Sequence, residues 1–276
     1  MTEALPALPL GDGTLMPQLG LGLWRTPDGT AAEVVRTAIE AGYRLVDTAA
    51  AYGNERGVGE GVRSARAQSA VFVTTKLWND DQGYDRTLRA FDESLRRLGL
   101  PAVDLYLIHW PDPARGLYVE SWRALIRLKA EGRARSIGVS NFGPEHLRRI
   151  IDETGEAPVV NQVELHPWFQ QRALRAVNAR IGVRTQSWSP LGQGQLLHDP
   201  TVRRIAAHHG RTPAQVVIRW HLDNGLIVIP KSANPDRIRE NFRALDFRLE
   251  TDDLVAMAAL DRVDDRIGPN PETESL

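Results

Sequence analysis

Short apolar runs rich in branched residues recur along the chain, and helix-patterned segments fill the intervals between them. LVDT starts at 45, VFVTTK at 71, VDLYLIHW at 103, SIGVSN at 136, VVNQVE at 159, VRTQSW at 183 and LIVIPK at 226. LGLGLW at 19 makes a glycine-rich eighth. TAAEVVRTAIEAG at 30 spaces its apolar residues by three and four and stops at Gly42. YDRTLRAFDESLRRLGL at 84 reads as a clear amphipathic helix, and segments at 55, 118, 144, 171 and 235 continue the pattern. TPAQVVIRWHLDNG has Pro213 in a favourable first-turn position and Gly225 past its end. TDDLVAMAALDRV at 251 adds a further helix after the last unit.

Eight strand–helix units in a chain of 276 residues predict an α/β fold, the (β/α)8 TIM barrel, with an extra C-terminal helix. The competing architecture is an open doubly wound sheet, which carries a glycine-rich fingerprint between its first strand and helix. LGLGLW continues into RTPDGT and does not complete that pattern. The glycines of GVGEG at 57 follow no strand directly and suit helix packing better. Ahead of the first unit, Leu8–Leu10 and Leu15–Leu19 flank the turn Gly11-Asp12-Gly13-Thr14, which predicts a β-hairpin. No linker or shift in composition interrupts the pattern, so residues 1–276 read as one domain.

Composition then narrows the function. The net charge of −1 offers no basic stripe for nucleic acid. The N-terminal segment MTEALPALPLGDGTLMPQLG lacks the basic-then-apolar order of a signal peptide. No apolar run is long enough to span a membrane. The chain has no cysteine, which excludes disulfides, thiol catalysis and cysteine-ligated metals. A cytoplasmic setting fits, and no metal site is evident.

Polar residues gather at the carboxyl ends of the apolar runs, which in a barrel converge on one mouth. Asp47 ends LVD, Lys76 ends VFVTTK, and His109 lies near the end of DLYLIHW. Tyr52 follows Asp47 by five positions in GYRLVDTAAAYGNE. Taken singly, each has an ordinary explanation: a turn cap, a solvated strand end, a core imidazole, a packing aromatic. Together they bring an acid, an ammonium, an imidazole and a phenol to one place. No nucleophile–base pair is present, since a GxSxG elbow is missing. A two-carboxylate glycosidase could use Asp47 and Glu164, but it leaves Lys76 and His109 unexplained. Proton donation to a carbonyl uses all four. A free phenol, with a pKa of about 10, is a poor acid near neutrality, and an adjacent ammonium lowers it. Asp47 would hold that ammonium, and His109 would orient the carbonyl oxygen.

In these and further motifs the chain resembles the aldo-keto reductases. GYRLVDTAAAYGNE is similar to the family's first signature, and VDLYLIHWP, SIGVSNF, NQVELHPW and IPKSANPDRIREN resemble others, in order, from about Leu19 to Ile267. Within the family the chain looks most similar to bacterial reductases of the 2,5-diketo-D-gluconate type. The resemblance implies a barrel closed at the bottom by the hairpin, and the catalytic tetrad Asp47, Tyr52, Lys76 and His109. It implies NADPH as cofactor, with NADH use left open. Ser140, Asn141 and Gln162 would hold the carboxamide, and Trp188 would stack on the nicotinamide. Ser189, Leu191 and Gly192 would follow the pyrophosphate. Lys231, Ser232, Arg237, Glu240 and Asn241 would surround the adenosine and its 2′-phosphate, near a helix start that itself favours anions.

Trp24, Ala51, Trp78 and Trp110 match positions lining the family's substrate pocket. The substrate would be a small carbonyl compound such as 2,5-diketo-D-gluconate or methylglyoxal. Two departures from the pattern stand out: Leu23 replaces a common threonine, and Ala233-Asn234 replace valine with threonine or a basic residue. An NADPH-binding regulatory barrel with little turnover is the alternative, and a monomer is the family-based expectation.

Overall fold

The computed structural model describes residues 5–65 and 71–273, so both ends of the expected 1–276 unit lie outside the described residues. β1 (Ala7–Pro9) and β2 (Leu15–Pro17) form the expected antiparallel hairpin, with arms slightly shifted from the predicted ones. Gly13, with φ at 85°, closes its turn by donating to Leu10 O.

Eight parallel strands follow in sequence order: β3 (Leu21–Gly22), β4 (Leu45–Asp47), β5 (Phe72–Leu77), β6 (Val103–Ile108), β7 (Ala134–Ser140), β8 (Val160–Glu164), β9 (Arg184–Trp188) and β10 (Ile227–Val228). Parallel bridges Leu19 to Val228 and Gly22 to Lys231 join the first strand to the last and close the barrel. These two closing strands are shorter than their apolar runs. Prolines explain part of this, because Pro230 follows β10 and cannot donate to a ladder.

The helices stand where the periodicity places them. α1 (Asp28–Ala41) buries Ala31, Val34, Val35, Ala38 and Ile39, and ends on Gly42 in the left-handed region, as its sequence predicts. α2 (Glu55–Ser64), α3 (Tyr84–Leu98), α4 (Tyr118–Ala130), α5 (Pro144–Thr154) and α6 (Arg172–Arg180) follow. α7 (Pro200–His209) was not predicted. Its apolar face is thin, only Val202, Ile205 and Ala206, so periodicity alone is a weak signal there. The punctuation is nonetheless present: Asp199 caps it, Pro200 opens it and Gly210 ends it. α8 (Pro213–Asp223) starts with a Thr212–Gln215 capping box. α9 (Pro235–Phe242) and the extra C-terminal helix α10 (Thr251–Ala258) complete the set, α10 ending earlier than its pattern.

The barrel's two ends differ. At the strand starts, Leu10 and Met16 of the hairpin pack with Leu45, Phe72, Leu105 and Val160 into an apolar plug. Ser136 donates to Asp12 at 2.7 Å, and Arg184 donates to Pro9 O at 2.9 Å, which ties the hairpin to β7 and β9. The plug closes the bottom and leaves the strand ends to the chemistry.

The GVGEG glycines are packing residues, as their sequence context suggests. A Cβ on Gly59 would stand 1.9 Å from Leu98 O, and one on Gly57 would stand 2.2 Å from Asp28 O. Gly59→Ala is therefore expected to destabilise the fold by about 1–3 kcal/mol in urea titrations, although alanine is the better helix former. Gly29→Ala, on α1 with open space around it, should be neutral or stabilising by up to about 1 kcal/mol.

Candidate active site

Asp47 closes β4 and points into the barrel with 2% of its surface exposed, and Lys76 of β5 is fully buried beside it. Strand alternation puts both side chains on the inner face, and adjacency in the sheet makes them neighbours. The ammonium donates to Asp47 Oδ1, to Thr48 O at 2.9 Å and to the Tyr52 hydroxyl at 3.4 Å. Gln162 of β8 donates to the second carboxylate oxygen at 2.7 Å and to Gln186 of β9 at 2.9 Å. The pair is thus held from four strands.

Burial alone would push Lys76 towards its neutral form, but Asp47 and Tyr52 together outweigh it and hold the ammonium above its ordinary value. Burial pushes the Asp47 carboxyl up, while Lys76 and Gln162 draw it back. The ion pair survives because both members are bonded on several sides. Tyr52 departs from expectation. Burial raises its phenol above the ordinary value, and the pull of Lys76 offsets only part of that rise. The resting phenol therefore keeps its proton.

Tyr52 sits in a single 3-10 turn, Ala50–Tyr52, rather than in a plain loop. Gly53, with φ at 66°, ends the turn, and the fully buried Asn54 anchors the chain as it enters α2. Its amide donates to Leu23 O at 2.9 Å and Thr26 O at 2.8 Å, and its oxygen accepts from Thr48 at 2.6 Å. Glu55, also buried, accepts from Thr75 and from Arg97, each at 2.6 Å. Neither residue was anticipated from the sequence, because their partners lie on other elements.

His109 follows β6. Its ring meets Tyr52 edge-on at 5.5 Å and Trp78 at 5.3 Å. Burial, then the charge of Lys76, holds the imidazole well below its ordinary value, so it is neutral and offers one N–H.

A cavity of about 530 Å³ opens on these groups. Trp24, Ala51, Trp78 and Trp110, the candidate substrate contacts, line it. Ser140, Asn141, Gln162, Trp188, Ser189 and Lys231 line it as well. Asn141, in the left-handed region that asparagine tolerates, donates to His109 O at 3.0 Å and accepts from Trp188 Nε1 at 2.9 Å. Ser140 donates to Gln162 O at 2.8 Å. Gln162 uses its amide hydrogens on Asp47 and Gln186, which leaves its carbonyl oxygen as an acceptor towards the cavity. Asn141 spends both amide hydrogens and Ser140 its hydroxyl hydrogen within the protein, so a flat carboxamide would meet the Gln162 oxygen, with the Trp188 indole beside it for a stacked ring.

Leu191, Gly192, Ser232, Arg237, Glu240 and Asn241 do not line this cavity. Gly192 donates its amide to Ser189 O at 3.0 Å. Glu240 accepts from Thr212 at 2.9 Å, tying α9 to the start of α8. The start of α9 also differs from expectation. Asn234 accepts from the amides of Asp236 and Arg237 at 2.9 and 3.0 Å, so these donors are already occupied. An anion there would rely on the side chains of Lys231, Ser232 and Arg237. Leu23 is fully buried at the cavity wall and offers only apolar surface. Gln193, Gly268 and Pro269 line the cavity without having been anticipated.

Glu164 is not poised for hydrolysis. Its buried carboxylate accepts from the amides of Ile267 and Gly268 at 2.6 and 2.8 Å and lies 3.1 Å from His166 Nε2. Both oxygens are engaged, so the glycosidase alternative loses its second acid. His166 is structural, His208 is a surface residue, and His209 bonds Asp253 at 2.6 Å. Among the described residues no cluster of three or more ligating side chains could hold a metal, and no helix is long and apolar enough to cross a membrane.

A closed parallel barrel that gathers a protonated phenol, a buried ammonium and a neutral imidazole at its mouth can polarise and protonate a carbonyl. Residues 10–262 match the aldo/keto reductase family, and the chain belongs to that family. It is 53% identical over 269 residues to an aldo-keto reductase of Mycobacterium sp. (strain JLS), covering 97% of each chain. It is 52% identical over 266 residues to methylglyoxal reductase DkgA of Escherichia coli (strain K12), covering 95% of this chain and 96% of that one. A crystal structure of a Gox0644 mutant in complex with NADPH superposes with a TM-score of 0.96 at 56% identity, over 99% of this chain and 100% of the other. The protein is an oxidoreductase that reduces aldehyde and keto groups with a nicotinamide cofactor.

The neutral state of His109 has a consequence for stability. Its folded pKa lies below the unfolded 6.5, so its contribution is intact above about pH 6.5 and falls as pH drops towards the folded value. Urea titrations should show the wild type losing about 1 kcal/mol per pH unit relative to His109→Gln between about pH 6 and about pH 5.

Proposed function

We propose that Tyr52 protonates the carbonyl oxygen of a small neutral carbonyl compound, with Lys76, Asp47 and His109 preparing the transfer. The observation that carries this reading is the contact row from Asp47 through Lys76 to the Tyr52 hydroxyl, ending at an aromatic cavity. NADPH, when bound, supplies the hydride that the carbonyl carbon receives. The relative crystallised with NADPH, and another, from Bombyx mori, crystallised with NADP, support that choice of cofactor.

The chain's own groups divide the rest of the work. Tyr52 holds its proton at rest because burial disfavours the phenolate. As the proton leaves, the Lys76 ammonium stabilises the negative charge that develops on the phenol oxygen. Asp47 and Gln162 fix the ammonium in place. The neutral imidazole of His109 donates its N–H to the carbonyl oxygen and sets the angle of approach. Ser140, Asn141 and Gln162 would orient the cofactor's carboxamide, and Trp188 would stack on its ring. Ser189, Leu191 and Gly192 would hold the pyrophosphate, Lys231, Ser232 and Arg237 the 2′-phosphate, and Glu240 and Asn241 the adenosine.

The substrate class follows from the walls. Trp24, Trp78 and Trp110 give apolar faces, and the cavity must also hold the nicotinamide end of the cofactor. The remaining space suits a small 2-oxoaldehyde better than a carboxylate-bearing sugar acid, in line with the name methylglyoxal reductase carried by several relatives. That these relatives are named as reductases also favours turnover over a regulatory barrel. A chain without cysteine needs no oxidising compartment, and we read the enzyme as a cytoplasmic monomer.

Tyr52→Phe is expected to lower kcat on methylglyoxal by about 10²- to 10⁴-fold while NADPH still quenches the protein's fluorescence. Near-wild-type turnover would sink the role given to Tyr52. Arg237→Ala is expected to raise KM for NADPH by about tenfold or more and to leave KM for NADH nearly unchanged. Equal changes for both cofactors would place Arg237 away from the 2′-phosphate.

A further inference from the structure

Glu164 ends β8 with its side chain fully buried. A carboxylate in that position is costly unless donors surround it. The barrel supplies one side-chain partner, His166. The other two donors lie 103 and 104 residues further along the chain, the backbone amides of Ile267 and Gly268. Burial pushes the carboxyl up, but His166 and the two amides outweigh it and keep it below its ordinary value. The acid stays ionised and bonded.

Ahead of the segment it holds, the chain is anchored: Asp261 accepts from the Gln170 amide at 2.9 Å and from Arg172 at 2.7 Å, and the Arg262 amide donates to Trp168 O at 2.8 Å. From the end of α10 to residue 273 the chain forms neither helix nor strand, and the Ile267 side chain is 40% exposed. Upstream, Arg266 lies over the Phe169 ring at 4.8 Å. Downstream, Gly268 and Pro269 line the cavity. A Cβ built on Gly268 would stand 2.5 Å from Cη2 of Trp188, so the bare backbone rests against the edge of the indole. The opposite edge of the same indole is held by Asn141.

We propose that Glu164 is a positioning residue that clamps Ile267 and Gly268, so that the segment through Pro269 walls the carbonyl cavity, props Trp188 and sets which substrates fit. The clamp stands on its own geometry, whereas its effect on selectivity rests on the reading of the cavity as the carbonyl site. A carboxylate suits the task because two amides converge on it. Each needs an acceptor, and no neutral side chain of the same size offers two without also presenting a donor.

Glu164→Gln keeps the volume but turns a donor towards one of the amides. Hydrogen exchange on the full-length variant should show the Ile267 and Gly268 amides losing protection by about tenfold or more, with β6 and β7 unchanged. Steady-state kinetics with NADPH should show kcat/KM for a bulky aromatic aldehyde rising about tenfold relative to methylglyoxal, mainly through KM. Retained protection would overturn the clamp. Lost protection with an unchanged ratio, or an equal loss on both aldehydes, would overturn its control of selectivity. If Glu164→Gln does not fold, Gly268→Ala strains the same contact from the cavity side and must shift the ratio by a comparable factor, or the proposal falls. Wild-type protein that binds NADPH but reduces neither aldehyde would instead refute the carbonyl-site reading, and the exchange experiment would still decide the clamp.

Discussion

Everything at the barrel mouth is arranged around the ion pair of Asp47 and Lys76. Two opposite charges removed from water lose most of their solvation, and their mutual attraction compensates only when other partners complete the shell. Here Thr48 O, Gln162 and the Tyr52 hydroxyl do so. Gln162 in turn leans on Gln186, so the network crosses from β4 and β5 to β8 and β9. Such a pair contributes little to stability by itself. Its value lies in holding a positive charge, fixed and nearly dry, beside a phenol. In that low-dielectric setting the charge acts on the phenol far more strongly than it would in water.

The electrostatics also revise how the relay operates. The expected effect of the ammonium was to depress the phenol's pKa at rest. In the folded protein burial dominates, and the phenol stays protonated. A proton donor needs its proton before the reaction and needs help only once charge appears. With Tyr52 in the proposed role, the arrangement stabilises the state in which the proton is leaving, which is where binding energy accelerates a reaction. The neutral imidazole fits the same logic, since it contributes an N–H without adding a second positive charge beside Lys76.

The barrel was legible from the sequence because its signals are local and repeated: branched runs, helical spacing, and punctuation such as Gly42 and Pro213. The convergence of Asp47, Tyr52, Lys76 and His109 was legible because parallel strands send their carboxyl ends to one mouth, so position along each run predicts it. Glu164 shows the limit. Its place at a strand end looked the same as Asp47's, yet its partners are amides more than a hundred residues away. Asn54 and Glu55 failed in the same way, since each bridges elements that only the closed barrel brings together. Asn234 stands out as a departure from the family pattern, although Asn before Pro235 is the same cap-and-proline punctuation that opens α7. Helix α7 itself carries such local signals on a face too thin to draw attention.

The plug at the bottom and the polar mouth at the top are two halves of one constraint. A parallel barrel of eight strands has an interior just wide enough for side chains to fill. Leu10 and Met16 seal the lower layer with apolar groups, so no water need enter from below. The upper layer can then hold a charged pair whose exit to solvent is the aromatic cavity above it. Moving the pair one layer down would remove that exit and strand it among Leu45, Leu105 and Leu107, where neither the phenol nor a ligand could reach it. The strand-end position of Asp47 is thus set by dielectric as much as by geometry. It is deep enough to strengthen the field of Lys76, and shallow enough for the field to act on a reacting oxygen.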